Sequence, residues 1–416
     1  MSPISSNYEY CQRSIFDIDV FSANNMSLGR PDSSAAYTIR NRVQFVYGGK
    51  DYFNTLLELI CNAKQCIHLQ FYIYENDETG WQVAHALIEA ARRKVDVFLQ
   101  VDGYASQGMS KKMIAELKAA GVNLKWFEPL FRSKHFYFGR RLHHKVVVAD
   151  GLYSLVGGVN ICNRYNDMPG EPAWLDTALY CEGEASFVLH HICRDMWGDK
   201  NLSTIDTSHI ETFCDNIPED EQIMVRARRN DWVNRKNQIW KTYYDIFSKA
   251  EKNITVMCSY FLPGRLFRKK ISQAVKRGVH VKVILAGRSD IMMAKHAERY
   301  LYDWLLRNKI EVYEYQETVL HAKLAVYDAR KVTIGSYNVN NISAYASLEL
   351  NMDIENHSFA EYVVNELEKI STEHCKLITK ENYTSSTNIF RRIWQRFCYS
   401  FINNVLNLFT FYFRQE

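Results

Sequence analysis

The sequence predicts an α/β protein made of two similar halves packed with pseudo-twofold symmetry, a shared site at their interface and an amphipathic helix at the C-terminus. Three observations predict it. Short β-branched runs alternate with amphipathic stretches, the pattern of strands joined by right-handed helical crossovers. A motif, His-x-Lys-x4-Asp, stands once in each half, as His143, Lys145 and Asp150 and again as His321, Lys323 and Asp328. Finally, residues 388–413 carry apolar side chains at three- and four-residue spacing.

The elements follow in order. Residues 1–40 are mixed and polar and read as an N-terminal arm. In the first half, residues 41–215, Leu56–Ile60 is the core of a helix and Cys66–Tyr74 a strand. The helix Ala84–Ala91, the strand Val95–Val101 and the helix Lys111–Ala120 come next, and Val122–Phe127 leads to the first motif. The second half, residues 216–380, repeats this order. Its helices are Ile239–Lys249, Phe267–Lys276 and Ala294–Leu306. Its strands are Ile254–Phe261 and Val279–Leu285, and Ile310–Tyr315 leads to His321. The join falls between about 205 and 230, where Asn216-Ile217-Pro218-Glu219-Asp220 reads as a loop. Residues 381–416 form the tail.

One His-x-Lys-x4-Asp would arise by chance in a chain this long on the order of a few per cent of the time. Two copies with matched surroundings are another matter. Val146-Val147-Val148 and Leu324-Ala325-Val326-Tyr327 follow the motifs as buried strands, so each histidine shares a strand face with its lysine. The chain turns at Asp150 and Asp328 and returns through Tyr153–Val156 and Val332–Ile334. Gly157-Gly158-Val159-Asn160 and Gly335-Ser336-Tyr337-Asn338 then place glycine and asparagine at equal offsets. The glycines offer open backbone to an anion, and Asn160 and Asn338 offer amide donors. Each half thus brings an imidazole, an ammonium and an amide, which suits one phosphate gripped from both sides.

A phosphate diester repels nucleophiles, and its alkoxide leaving group needs a proton. One neutral imidazole can attack phosphorus, and the other, protonated, can supply that proton. Lys145, Lys323, Asn160 and Asn338 would offset charge on the equatorial oxygens. No metal or cofactor is then required. Asp150 and Asp328 belong to the motif, but their turn positions suggest that they orient the loop instead of touching substrate.

On these motifs the chain resembles the phospholipase D superfamily over roughly residues 40 to 380, and within it bacterial cardiolipin synthases. Phe71-Tyr72-Ile73-Tyr74-Glu75-Asn76-Asp77-Glu78-Thr79-Gly80, Val95–Gly103 and Ser259-Tyr260-Phe261-Leu262-Pro263 are similar to that family's segments. Arg141-Leu142 departs from the Asn-Arg or Asn-His usual before the first motif. A pair of N-terminal membrane spans is not apparent, so the likeness is to the shorter members. The resemblance implies a phosphatidyl group passed through a phosphohistidine to phosphatidylglycerol, from a second phosphatidylglycerol or phosphatidylethanolamine. It implies His143 as nucleophile and His321 as general acid and base, although internal symmetry alone does not fix that order. Asp176 and Glu349 match positions where the family places a carboxylate that orients a histidine. Rival readings are a lipid hydrolase with water as acceptor, a nuclease of the same superfamily, and an inactive lipid-binding scaffold.

The net charge of +4 does not by itself call for nucleic acid, and none is expected as a partner. Ten cysteines are scattered without a Cys-x2-Cys pair, which argues against zinc and for free thiols in a reducing compartment. His85, His135, His144, His190 and His191 have no counterpart in the other half and read as structural. His144 lies on the opposite strand face from Lys145 and should point away from the site.

The tail carries Ile389, Phe390, Ile393, Trp394, Phe397, Phe401, Val405, Leu408, Phe409 and Tyr412 on one stripe, with Arg391, Arg392 and Arg396 beside it. Ser385–Asn388 supplies a linker and N-cap. This pattern fits a peripheral anchor on the anionic cytoplasmic face of a bacterial cell membrane. A second contact is expected from Phe131, Arg132, Lys134, Phe136, Tyr137, Phe138, Arg140 and Arg141.

Overall fold

The computed structural model describes residues 36–129, 140–198, 205–340, 343 and 347–411. Two twisted sheets form its frame. The first contains β1 (Asn41–Tyr47), β2 (Cys66–Phe71), β3 (Asp96–Asp102), β4 (Asn123–Phe127), β6 (Lys145–Ala149), β7 (Tyr153–Gly157) and β8 (Thr177–Gly183), in the order β1-β8-β7-β6-β2-β3-β4. The two-residue β5 (Arg141–Leu142) belongs to the first half by sequence but pairs with a strand of the second sheet. That sheet contains β9 (Met224–Asp231), β10 (Lys236–Asn237), β11 (Asn253–Cys258), β12 (His280–Arg288), β13 (Glu311–Val319), β14 (Lys323–Tyr327), β15 (Lys331–Gly335), β16 (Ser347–Glu355) and β17 (Cys375–Ile378). Its order is β10-β9-β16-β15-β14-β11-β12-β13-β17.

The halves repeat the same plan. β2, β3 and β4 run parallel, as do β11, β12 and β13. Helices Glu78–Arg92 and Lys111–Ala119 make the crossovers of the first set, and Arg265–Lys276, Met292–Tyr300 and Tyr302–Arg307 those of the second. Local chemistry starts the first two: Asp77 accepts from the Gly80 amide and Ser110 from that of Met113. The helix expected over Ala294–Leu306 is broken at Leu301. The break turns Tyr302 into the core, where its hydroxyl accepts from Lys295 at 2.8 Å and donates to Glu314 at 2.8 Å.

Helices Glu184–Trp197 and His357–Glu373 lie on the facing sides of the two sheets. Val146, Val148 and Leu179 of the first sheet share one apolar core with Val332, Ile334 and Met352 of the second. Each sheet has a further core under its outer helices. Several elements escaped sequence reading, among them the two facing helices and strands β8, β16 and β17. Helix Ser208–Asp215 seals Leu152 and Phe187 with Ile210 and Cys214. β9 is rich in arginine, yet Val225 and Ala227 point inward and Arg226 pairs with the buried Asp353 at 3.0 Å. Thr38, in the expected N-terminal arm, exchanges two backbone hydrogen bonds with Val225.

The last helix, Ile389–Phe411, starts at an N-cap in which Asn388 accepts from the Arg391 amide at 2.9 Å. It lies along helix Met292–Tyr300, through Trp394 beside His296 and Tyr399 beside Tyr300. It packs the inverse of an ordinary surface helix. Gln395 and Cys398 face inward and are buried, whereas Ile389, Phe390, Ile393, Trp394, Phe397 and Phe401 are 46–78% exposed. Ile291, Met292 and Met293, at the start of the supporting helix, are exposed as well. Among the described residues no helix is long and apolar enough to cross a membrane.

Residues 130–139, which include His135 and most of the aromatic–basic stretch, lie outside the described residues. Arg140 and Arg141 are described, and both are paired within the protein. Arg140 pairs with Glu128 at 3.3 Å and Asp231 at 3.2 Å. Arg141 donates to the Glu128 carbonyl at 2.8 Å and faces Asp102 at 3.4 Å. Both charges are spent inside the protein.

Candidate active site

β6 and β14 carry the motif residues to the seam between the halves. On β6, Lys145 is opposite Phe71 of β2; on β14, Lys323 is opposite Cys258 of β11. Tyr72 and Ser259, the next residues along β2 and β11, therefore occupy equivalent places. The Lys145 ammonium lies over the Tyr72 ring at 5.2 Å, and that of Lys323 donates to the Ser259 hydroxyl at 3.2 Å. The Tyr72 ring also meets the His143 ring edge-on at 5.0 Å. His144 turns away, as strand alternation requires, and its Nδ1 meets Gln70 Oε1 at 2.9 Å behind the sheet.

The carboxylates come from the opposite halves. β5 runs parallel to the start of β16, pairing Arg141 with Ser347 and Leu142 with Leu348. Glu349 is next in line beside His143, and its Oε2 lies 2.8 Å from His143 Nδ1. Leu175 and Leu320 form the matching parallel bridge. Asp176 thus falls beside His321, with Oδ2 at 2.7 Å from His321 Nδ1. Each acid serves the histidine of the other motif copy. Backbone register sets both pairings, and the Arg141-Leu142 departure is part of the bridging strand that does so.

Both carboxylates are fully buried and further held. Glu349 accepts from the Ser336 hydroxyl and, at 2.7 Å, from that of Ser347. Asp176 accepts from the Thr177 amide at 2.8 Å. Burial alone would raise the two carboxyls, but the facing histidines and nearby lysines outweigh it and hold both below the usual range. An ionised acceptor makes each histidine Nδ1 the N–H donor and leaves Nε2 free for chemistry. The Lys323 ammonium, 2.9 Å from His321 Nδ1, then acts on that ring through charge instead of hydrogen bonding. His321 Nε2 lies 3.3 Å from the Tyr165 hydroxyl.

Burial pushes both imidazoles toward the neutral form, His321 down to about 4 with Lys323 adding to the effect. It also pushes Lys145 down to about 7 and lowers Lys323. With both lysines protonated, their two positive charges balance the two carboxylates. A diester monoanion entering between them adds one negative charge, which one proton on an imidazole would offset. The arrangement can bind a phosphodiester and hold one imidazole as base beside another as acid.

Linkage makes this testable. Between about pH 7 and the ordinary lysine value of 10.5, the unfolded chain holds a Lys145 proton that the native chain lacks. Lys145 therefore makes stability rise with pH across that window. Thermal unfolding of Lys145→Met should show a flatter rise than the parent over pH 7–10.5. Tungstate, an anion of phosphate shape, should raise the parent's melting temperature more at pH 6.5 than at pH 9.

The glycines have a task that their expected role as anion contacts missed. A Cβ on Gly158 would stand 2.2 Å from Asp176 Oδ1, and one on Gly335 would stand 2.3 Å from the Leu350 carbonyl. They clear space for the neighbouring strand and, at Gly158, for the acid itself. Asn160 accepts from the Ile73 amide at 3.1 Å, and its side chain also meets the Tyr165 hydroxyl. Asn338 accepts from the Cys258 thiol at 3.5 Å.

The motif aspartates stand apart from the reacting groups. Asp150 accepts from the amides of Lys64, Gln65 and Cys66 at 2.8–3.0 Å. Asp328 does the same for Glu251, Lys252 and Asn253 at 2.8–3.0 Å. Both sit at φ 52° in the turn, at the far end of β6 or β14 from the histidine, roughly 23 Å away along extended chain. They are thus positioning residues that fix the start of the neighbouring strand. Asp328→Ala strands three amides and should cost about 2–4 kcal/mol in urea unfolding. Turnover of the fraction still folded should stay close to that of the parent.

Two duplicated α/β halves that close on paired histidine–carboxylate dyads and two buried lysines define an enzyme of the phospholipase D class. A family profile described as cardiolipin synthase, phospholipase D-like domain, matches residues 56–177 and 243–371. The chain belongs to this family and is a phosphatidyltransferase of phospholipase D type. It is 28% identical to cardiolipin synthase B of Escherichia coli (strain K12) over 358 residues, covering 85% of this chain and 84% of that protein. It is 30% identical to a cardiolipin synthase of Halalkalibacterium halodurans over 308 residues, covering 73% of this chain and 60% of the other. The phosphatidylserine synthase of Haemophilus influenzae shares the fold, with a TM-score of 0.69 over 88% of this chain and 94% of that one at 16% identity.

Tyr72, Ser259, Tyr165, Ser336 and Ser347 complete the site and were not singled out from sequence. Tyr72 and Ser259 had a usable signal, since each follows the strand that pairs with a motif strand, and Ser336 stands in the segment matched between the halves.

Proposed function

We propose that the protein forms cardiolipin at the cytoplasmic face of a bacterial membrane. His143 Nε2 attacks the phosphorus of a phospholipid, forming a P–N bond as the P–O bond to the headgroup alcohol breaks. His321 Nε2 gives its proton to that leaving oxygen. In the second step His321 Nε2 takes the proton from the terminal hydroxyl of phosphatidylglycerol, whose oxygen attacks phosphorus and breaks the P–N bond. Lys145 and Lys323, with the amides of Asn160 and Asn338, offset charge on the non-bridging oxygens.

The observation that carries this reading is the meeting of both dyads, His143–Glu349 and His321–Asp176, at one seam. The Tyr165 hydroxyl beside His321 Nε2 favours His321 as the proton carrier, because it can accept the imidazolium N–H before the first step and donate to the neutral Nε2 between steps. The exposed aromatic face of helix Ile389–Phe411 supports a lipid-bound substrate. Its arginines and lack of acidic residues suit an anionic surface.

Purified protein should convert phosphatidylglycerol vesicles to cardiolipin, with or without phosphatidylethanolamine, and should leave single-stranded DNA intact. Phosphatidic acid as the sole product would make it a hydrolase. Cleaved DNA without a lipid product would make it a nuclease.

A further inference from the structure

Cys66, His68 and His190 meet behind the first sheet, on the face away from the reacting groups. Cys66 and His68 share one face of β2, and His190 comes from helix Glu184–Trp197, which covers that face. All three are buried, and one ligand-type atom from each lies within 4.8 Å of the others. Cys66 Sγ is 3.9 Å from His190 Nδ1, and the rings of His68 and His190 are 5.0 Å apart. His190 is 1% exposed, and its Nε2 is buried without a hydrogen-bond partner among the described residues.

We propose that Cys66, His68 and His190 form a three-coordinate site for a monovalent thiophilic cation, Cu+. The ligand set is one soft thiolate and two imidazoles, which this ion accepts in trigonal geometry. Bonds of about 2.3 Å to sulfur and 2.0 Å to nitrogen place those atoms about 3.7 Å apart in a trigonal site. The Cys66–His190 separation is already close to that. On binding, the Cys66 S–H bond gives way to a Cu–S bond and the proton leaves to solvent; no electron is transferred.

Ligand number selects the ion. The described residues bring three ligand groups together, which suits a trigonal Cu+, whereas a structural Zn2+ site takes four. The fold does not need these side chains for its own sake. Asp150 caps Cys66 as Asp328 caps Asn253, so the second half carries Asn253 and Thr255 where the first carries Cys66 and His68. The sequence expectation of no metal rested on missing Cys-x2-Cys spacing, which cannot register a ligand brought from a helix 122 residues away.

The test loads the full chain anaerobically with one equivalent of Cu+ and challenges it with bathocuproine disulfonate. A parallel sample receives Zn2+ and a chromophoric zinc chelator. The parent should keep about one equivalent of Cu+, and X-ray absorption should report one sulfur and two nitrogen neighbours. Cys66→Ser and His190→Gln should each weaken retention at least about tenfold, with Cys181→Ser unchanged. Retention equal to the parent in Cys66→Ser, all-sulfur coordination, or Zn2+ held where Cu+ is not would each overturn the proposal, as would a folded parent that keeps neither ion. If a variant fails to fold, the neighbours counted in the parent decide.

Discussion

Alanine at either His143 or His321 is expected to lower turnover of a phospholipid diester by about 10⁴-fold or more, with the fold intact. In the proposed mechanism each imidazole makes or breaks a bond in both steps, and among the described residues no second imidazole stands at its position. The fold survives because neither acid is left bare. Glu349 keeps the hydroxyls of Ser336 and Ser347, and Asp176 keeps the Thr177 amide. Circular dichroism and thermal unfolding check that part. The two variants separate when the donor carries a leaving group that needs no proton. His321→Ala should then still accumulate a phosphatidyl adduct, visible as added mass on the intact chain, and His143→Ala should not. The opposite pattern would exchange the roles of the histidines, and an adduct in neither would remove the covalent intermediate from the mechanism.

Removal of residues 388–416 should move the protein from the membrane fraction to the soluble one and leave hydrolysis of a short-chain, water-soluble diester nearly unchanged. The six large apolar residues are 46–78% exposed, so the deletion takes from the body mainly Gln395, Cys398 and the ring contacts of Trp394 and Tyr399. Fully burying one such side chain contributes about 1.5–3 kcal/mol, so even partial insertion of several is worth more than about a hundredfold in partitioning. Serine at Phe390, Ile393 and Phe397 should weaken vesicle binding without deletion. Arg391, Arg392 and Arg396 should make binding weaker in high salt, because screening shortens their reach to anionic headgroups. A deletion that leaves membrane binding unchanged but sharply lowers the melting temperature would make the helix part of the core.

Much of this was legible in the sequence. β6 and β14 are continuous β-branched or apolar runs, and the motif spacing marks His143, Lys145, His321 and Lys323 without reference to structure. The acids could be named as candidates, but not assigned to their histidines. That assignment depends on the Leu142–Leu348 and Leu175–Leu320 bridges, which join residues more than a hundred positions apart. β9 was missed because its arginines disguise the alternation of Val225 and Ala227. The packing role of the glycines was missed because a flexible residue looks the same in sequence whether it faces an anion or makes way for a strand. Tyr165 carries no local signal, since its hydroxyl acquires meaning only from His321 in the other half.

The exchange of acids between halves has a consequence for what the duplication confers. In many repeated proteins a second copy is a spare, and one damaged unit can be tolerated while the other works. Here a lesion at Glu349 removes the partner of the histidine 206 positions earlier, and a lesion at Asp176 that of the histidine 145 positions later. Neither copy contains a complete unit of chemistry, so neither can be relieved of selection while its twin carries on. The gene has doubled its length at this site without gaining redundancy.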